Sequence, residues 1–505
     1  MNLLESYNKV CSADVSLVAK ETPLQLAPIL SKKLNHQIWM KREDMQPVFS
    51  FKCRGAHNKI RQLADDQKRA GIIAASAGNH AQGVALSAQK LNIACTIVMP
   101  TTTPKIKVDA VSALGAITVL FGDSYDDAYE HALGLSKTSH QLFIHPYDDP
   151  DVIAGQGTIA LEIIQQLNSP IDAIFVAVGG GGLLAGVLSV FKVVSPSTKV
   201  IGVEPENSNC LAVALKENKR VKLKSVGIFT DGVAVKQIGE TTFPLIKDHI
   251  DGVICVSIDE ICAAIKDIYN ETRGIVEPAG ALSMAGLKQY IKQHPNESNL
   301  NLVAINCGAN MNFDRLRHIA ERTEIGENKE LLLCVELDEA PGSLFKFCTH
   351  LNNRTITEFN YRFQSNRLGR VFLGIETSGP DDNIKQLLAD TGHSLIDLTN
   401  DECAKIHVRH MIGGTPGKKI ENECTYRFQF PERPGALLEF LKALQNKWSI
   451  TMFHYRNHGS DYGRVLCGIQ VPSKKESQLT EHLSKLGYTY LEESNNPAYE
   501  MFLTR

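Results

Sequence analysis

The sequence has no Cys-x-x-Cys pair, although it carries 12 cysteines. Thiols scattered without paired spacing give neither a disulfide framework nor a metal site, and they fit a reduced, cytoplasmic setting. An excess of charge of one sign is also missing: Lys and Arg number 53 against 56 Asp and Glu, a formal net charge of -3. That balance gives no sign of a nucleic-acid or anionic-membrane partner and suits a small neutral or zwitterionic ligand. The first twenty residues, MNLLESYNKVCSADVSLVAK, lack the basic stretch followed by an apolar one that marks a secretory signal. Residues 173–191, AIFVAVGGGGLLAGVLSVF, imitate a membrane span in length and apolarity. Each of Gly179, Gly180, Gly181 and Gly182 would cost about 1 kcal/mol in a helix interior, so the run reads instead as a strand, a tight loop and a new helix.

What is present is an ordinary globular composition, 43% hydrophobic and 22% charged over 505 residues. At roughly 150 residues per domain, that length holds about three domains with cores of their own. From Gly71 onward, short apolar strands (GIIAAS, ACTIVMP, ITVLFG, AIFVAV, KVIGVEP, LVAINC) alternate with amphipathic helices such as HAQGVALSAQKL and IDEICAAIKDIYNETR. The alternation predicts an α/β region whose mostly parallel sheet is covered by helices, with ligands at the carboxyl ends of strands. Ser76, Gly179 and Cys307 stand at such ends.

After Asn328 the pattern changes to an internal repeat. Pro341 and Gly342 match Pro434 and Gly435; Ile356, Phe359, Tyr361 and Arg362 match Ile450, Phe453, Tyr455 and Arg456; Gly369, Arg370 and Val371 match Gly463, Arg464 and Val465. Each copy reads strand, turn, helix, strand, strand, as expected of a small α+β ferredoxin-like unit. Hinges are expected at ERTEIGENKE (321–330) and MIGGTPGKKIENE (411–423), which places domains at 1–322, 329–400 and 422–495.

Several stretches offer chemistry. In SFKCRGA, Lys52 lies between Phe51 and Cys53, with Arg54 close by. A lysine attacks a carbonyl only when part of its population is neutral, and from an ordinary value of about 10.4 that takes desolvation or a cationic neighbour. Taken alone, the seven residues read as well as the start of a surface helix. In SAGNH, Ser76, Ala77, Gly78, Asn79 and His80 join a strand to a helix, so backbone N–H groups and the helix's positive end suit a carboxylate, although a capping turn has the same composition. The four glycines before Leu183 can turn successive N–H groups toward a phosphate. No Lys-Ser or Lys-Thr pair follows them, and no clear ribose acid, so neither a nucleoside-triphosphate loop nor a dinucleotide fingerprint fits. Cys307, in CGAN, is read first as a buried thiol. His407 and His410 have no third ligand nearby and are read as structural, so no metal is expected.

In this order, SFKCRGA, SAGNHAQGVA, GGGGL, VEPAGA (276–281) and CGAN resemble the motifs of fold type II enzymes that use pyridoxal 5'-phosphate (PLP), and most closely the threonine dehydratase family. The match runs nearly the whole chain, because the repeat looks like that family's paired ACT-like regulatory subdomains. The resemblance implies a tryptophan synthase β-like catalytic domain in which Lys52 holds PLP covalently and later serves as the base for the Cα proton. Asn79 would bond the cofactor's 3'-oxygen; Gly179, Gly180, Gly181, Gly182 and Leu183 would hold its phosphate; Phe51 would lie near its ring. Cys307 would stand opposite the pyridine nitrogen, where many relatives have serine. Ser76, Ala77, Gly78, Asn79 and His80 would receive the substrate carboxylate. The implied activity is threonine ammonia-lyase: L-threonine to 2-oxobutanoate and ammonia, the committed step toward isoleucine. Inhibition by isoleucine opposed by valine, and a homotetramer, are implied with it. The alternatives are an L-serine dehydratase or a serine racemase-type enzyme, a noncatalytic amino-acid sensor, and, for the repeats, a purely oligomeric scaffold.

Overall fold

The computed structural model describes residues 1–351, 353–363, 368–379, 382–411, 420–431, 436–443, 448–456, 462–472, 475–485, 488–496, 499 and 503. The chain divides into two compact units, Met1–Thr323 and Glu324–Arg505.

In the first unit the alternating strands form two sheets rather than one. A six-stranded sheet runs in the order Leu24–Leu26, Gln37–Lys41, Asn301–Ile305, Ala173–Ala177, Lys199–Pro205 and Gly252–Val256. All its neighbours are parallel except the first pair. The four strands Ile117–Leu120, Cys95–Met99, Ile72–Ala75 and Leu142–Phe143 pair only with one another, all in parallel. A run of apolar residues says that a segment is a strand but not which strand it joins, so the second sheet is invisible in periodicity alone. Strands Ile72–Ala75, Cys95–Met99 and Ala173–Ala177 are buried along their whole length, as parallel strands covered on both faces must be. The glycine run divides as expected: helix Gly182–Val194 begins after Gly181, whose φ of +92° suits a residue without a side chain. Among the described residues no helix is long and apolar enough to cross a membrane.

The second unit is one eight-stranded antiparallel sheet. The first copy contributes Glu330–Asp338, helix Ser343–His350, Ile356–Arg362, Leu368–Glu376, helix Ile384–Asp390 and Leu395–Asp397. The second repeats this with Glu423–Pro431, helix Ala436–Ala443, Ser449–Arg456, Tyr462–Gln470, helix Glu476–Lys485 and Thr489–Glu492. Each copy therefore continues past the expected four elements with a further helix and strand, completing the ferredoxin-like βαββαβ unit. The copies join through their second strands, where Asn360 pairs with His454, so each covers the other's open edge. Gly342 caps helix Ser343–His350 with φ +86°; its counterpart Gly435, the preceding Pro434, and linker residues 412–419 lie outside the described residues. Of the hinge expected at 321–330, residues up to Gly326 continue helix Arg315–Gly326.

Candidate active site

Lys52 opens helix Lys52–Arg61, and the chain just before it is tied to the end of strand Asn301–Ile305. Ser50 bridges Gly308, and Phe51 N–H donates to Cys307 O at 3.2 Å. SFKCRGA and CGAN are thus one local structure. The Lys52 Nζ donates to Pro146 O at 3.0 Å and lies 5.3 Å from the Phe51 ring centroid. Burial lowers its pKa to about 8, against the opposing pull of Cys307 and Glu277. A substantial neutral fraction at physiological pH follows, which is what a nucleophilic amine requires. Arg54 has no part in this. It is buried against Glu43 (Nη2 to Oε1, 2.8 Å) and Glu162 (Nη1 to Oε1, 2.5 Å), two carboxylates that neutralise it.

The glycine loop adjoins Lys52 through the segment that holds the amine. A Cβ on Gly180 would fall 2.2 Å from the Tyr147 ring, and one on Gly182 would fall 2.9 Å from Tyr147 O. The loop's carbonyls are engaged on the side of Thr242: its hydroxyl donates to Gly180 O at 2.8 Å, Gly239 N–H donates to the same oxygen at 3.1 Å, and the Cys210 thiol donates to Gly179 O at 3.4 Å. With its carbonyls occupied and no room for side chains, the loop keeps its N–H groups, at the mouth of helix Gly182–Val194, for an anion. Leu183 itself is buried in the first turn of that helix.

Ser76 and Ala77 follow strand Ile72–Ala75, and Gly78 caps helix Asn79–Leu91 with its N–H donating to Ser76 Oγ at 3.2 Å. The Asn79 amide is held at both ends: its Nδ2 donates to Glu277 Oε1 at 2.6 Å, and its Oδ1 accepts from Asn310 Nδ2 at 2.7 Å. His80 pairs Nε2 with Ile144 O at 2.9 Å while Nδ1 is buried without a partner. Burial, helped by the Lys52 charge, drops its pKa to about 3, so the ring is neutral. Cys307 is buried, its Sγ donates to Ala279 O at 3.2 Å, and burial pushes its thiol far above the usual range. An amine with a depressed pKa, a glycine loop at a helix mouth, a second helix start and a buried thiol therefore stand near one another at strand ends, a donor set that fits PLP.

Glu277, Asn310 and the His145–Tyr147 segment were not assigned from sequence, although VEPAGA and CGAN contain the first two. Glu277 was detectable as the one acid in an otherwise apolar stretch. The segment with His145 follows a strand of only two residues, Leu142–Phe143, too short to recognise. Among the described residues no group of three or more His, Cys, Asp or Glu side chains is placed to hold a metal.

Residues 15–308 match the model of the pyridoxal-phosphate dependent enzyme family, and residues 321–408 and 417–503 match the C-terminal regulatory domain of threonine dehydratase. The chain is 50% identical over 502 residues to the biosynthetic L-threonine dehydratase IlvA of Pasteurella multocida, covering 99% of this chain and 97% of that one. It is 47% identical to the Escherichia coli protein of the same name with the same coverage. Among solved structures, the processed threonine deaminase isoform 2 of Solanum lycopersicum aligns with a TM-score of 0.63 and 49% identity, over 64% of this chain and 88% of that one. The chain belongs to the pyridoxal-phosphate dependent enzymes and, within them, to the biosynthetic threonine dehydratases.

Proposed function

We propose that the chain deaminates L-threonine to 2-oxobutanoate and ammonia with PLP held on Lys52. The observation that carries this reading is the buried Lys52 amine, lowered to about 8 and bonded to the Pro146 carbonyl beside the glycine loop. Gly179, Gly180, Gly181, Gly182 and the Leu183 N–H would hold the phosphate, the remaining Nδ2 hydrogen of Asn79 would be free for the 3'-oxygen, and Phe51 would lie near the ring. When bound, PLP supplies an electron sink that acidifies the substrate's Cα–H. The Lys52 amine, whose depressed pKa leaves part of it neutral, would take that Cα proton as a general base. The carboxylate of the substrate would rest on the Ser76 hydroxyl and the N–H groups of Ala77, Asn79 and His80, because Ser76 N–H already donates to Val98 O and Gly78 N–H to Ser76 Oγ. The neutral His80 ring already spends its Nε2 hydrogen on Ile144, so His80 contributes its backbone N–H alone. Cys307, a neutral thiol whose hydrogen goes to Ala279, gives a ring nitrogen no proton and no counter-charge.

The repeat region then serves as the control element: isoleucine inhibits, valine opposes, and the enzyme works as a cytoplasmic homotetramer. Effector binding is supported by a pocket between the copies in which Leu344, Phe345, Leu441 and Trp448 offer apolar surface and Asp338 offers acid to an ammonium group. Effector control needs only that isoleucine bind two states of the enzyme with different affinity. The test is keto-acid release from threonine and from serine by the purified enzyme, with and without isoleucine. Release from threonine that isoleucine suppresses supports the reading. Turnover of serine alone overturns the threonine assignment, and indifference to isoleucine overturns its assignment as inhibitor.

A further inference from the structure

Glu277 stands at the N-cap of helix Pro278–Gln293, yet its carboxyl makes no bond to that helix. A capping acid ordinarily turns its oxygens onto the first free N–H groups, so this one is directed elsewhere. Its Oε1 accepts from Asn79 Nδ2 at 2.6 Å, and its own N–H donates to Gly308 O at 3.1 Å. On the other side of the same amide, Asn310 Nδ2 donates both to Asn79 Oδ1 and to Val48 O, each at 2.7 Å. Those two bonds use both Asn310 amide hydrogens and leave Asn79 Oδ1 no option but to accept. The backbone is closed tightly around the pair. A Cβ on Gly308 would fall 2.4 Å from Glu277 Oε1 and 3.3 Å from Asn79 Nδ2.

We infer that Glu277 is a positioning residue: together with Asn310 it fixes the Asn79 amide so that one Nδ2 hydrogen is consumed and the other faces the cofactor's phenolic oxygen. The inference rests on the reading that Asn79 meets that oxygen. A carboxylate so close to a phenolate oxygen would repel it, whereas a neutral carboxyl still accepts through Oε1 and adds no charge. The surroundings favour the neutral form. Burial, reinforced by Asp231 and opposed by the Asn79 bond, Lys107 and Arg315, pushes the Glu277 carboxyl up to about 8. An uncharged isostere is therefore expected to replace it.

The experiment uses full-length protein stripped of cofactor and titrated with PLP, following the dissociation constant and the absorption maximum of the bound chromophore, with circular dichroism to confirm folding. Glu277→Ala is expected to weaken PLP binding about tenfold, the scale of one lost hydrogen bond to a buried acceptor. It should also shift the absorption band. Glu277→Gln is expected to stay within about threefold of wild type with the band in place, and Asn79→Ala to lose at least as much affinity as Glu277→Ala. The double variant should bind no worse than Asn79→Ala, because a residue acting through Asn79 has nothing left to position. Losses that multiply in the double variant, a Glu277→Gln as impaired as Glu277→Ala, or a Glu277→Ala unaltered while Asn79→Ala fails would each overturn the inference and leave the Asn79 reading intact. An Asn79→Ala that binds PLP like wild type removes that reading, and the positioning role with it.

Discussion

Buried ionisable groups serve opposite purposes in the two units. In the repeat unit they are paired: Arg362 of the first copy meets Glu423 of the second at 2.5 Å, and Arg409 meets Glu358 at 3.0 Å. Around Lys52 they are displaced instead. The amine is lowered to about 8, His80 to about 3, and Glu277 is raised to about 8, each chiefly by burial. A buried pair holds its charges and fixes how segments fit together; burial without such a partner moves a group toward its neutral form, which leaves Lys52 able to take a proton and keeps His80 and Glu277 largely uncharged. Even within the first unit the division holds, since Arg54 is locked by Glu43 and Glu162 while Lys52, two residues earlier, is not.

If this contrast is right, the units respond separately to substitution. The largest effect is expected from Lys52→Ala, which should cut deamination on the order of 1000-fold or more, as loss of a general base that is also the cofactor's anchor requires. Isoleucine binding, read by calorimetry, should stay within about twofold; a parallel loss would break the separation. Next comes Arg362→Ala, which strands Glu423 in the sheet seam and should cost about 3 kcal/mol in the unfolding of the repeat unit. Deamination without effector is expected to change less than about twofold, measured beside a thermal melt. A smaller effect follows from Gly181→Ala. Its φ of +92° and a Cβ contact of 2.8 Å to Ile238 and Thr242 make any side chain strained, by about 1–3 kcal/mol. It should appear as weaker PLP binding with the effector response unaltered. The gentlest probe is pH. Because the Lys52 pKa is depressed, its neutral fraction grows as pH rises through about 8, so PLP uptake by the cofactor-free protein should accelerate across that range and level off above it. A rate still climbing at pH 10 would mean an ordinary solvated lysine.

How far the chain could be read before its structure depended on whether the signal was local. The glycine loop, the SAGNH turn and the two copies of the repeat are written in consecutive residues, and their local physics holds: four glycines do break an apolar run, and Gly342 does cap a helix at positive φ. Long-range pairing left no such trace. Nothing in the strand around Ile72 tells that it joins Cys95–Met99 rather than Ala173–Ala177, and the second sheet came as a correction. Arg54 misled for a related reason, because adjacency to Lys52 suggested a cationic neighbour while Glu43 and Glu162, 11 and 108 positions away, had already claimed it. Glu277 and Asn310 lay inside stretches singled out for their resemblance, yet their bonds to Asn79 span 198 and 231 positions. The final helix and strand of each copy were missed because the matching residues end before them.

The central claim is that one desolvated amine both anchors the cofactor and works on the substrate. Borohydride reduction of the PLP-loaded enzyme followed by peptide mass spectrometry addresses it directly: the account predicts a pyridoxyl group on Lys52, and an active enzyme labelled at another lysine, or at none, would contradict it.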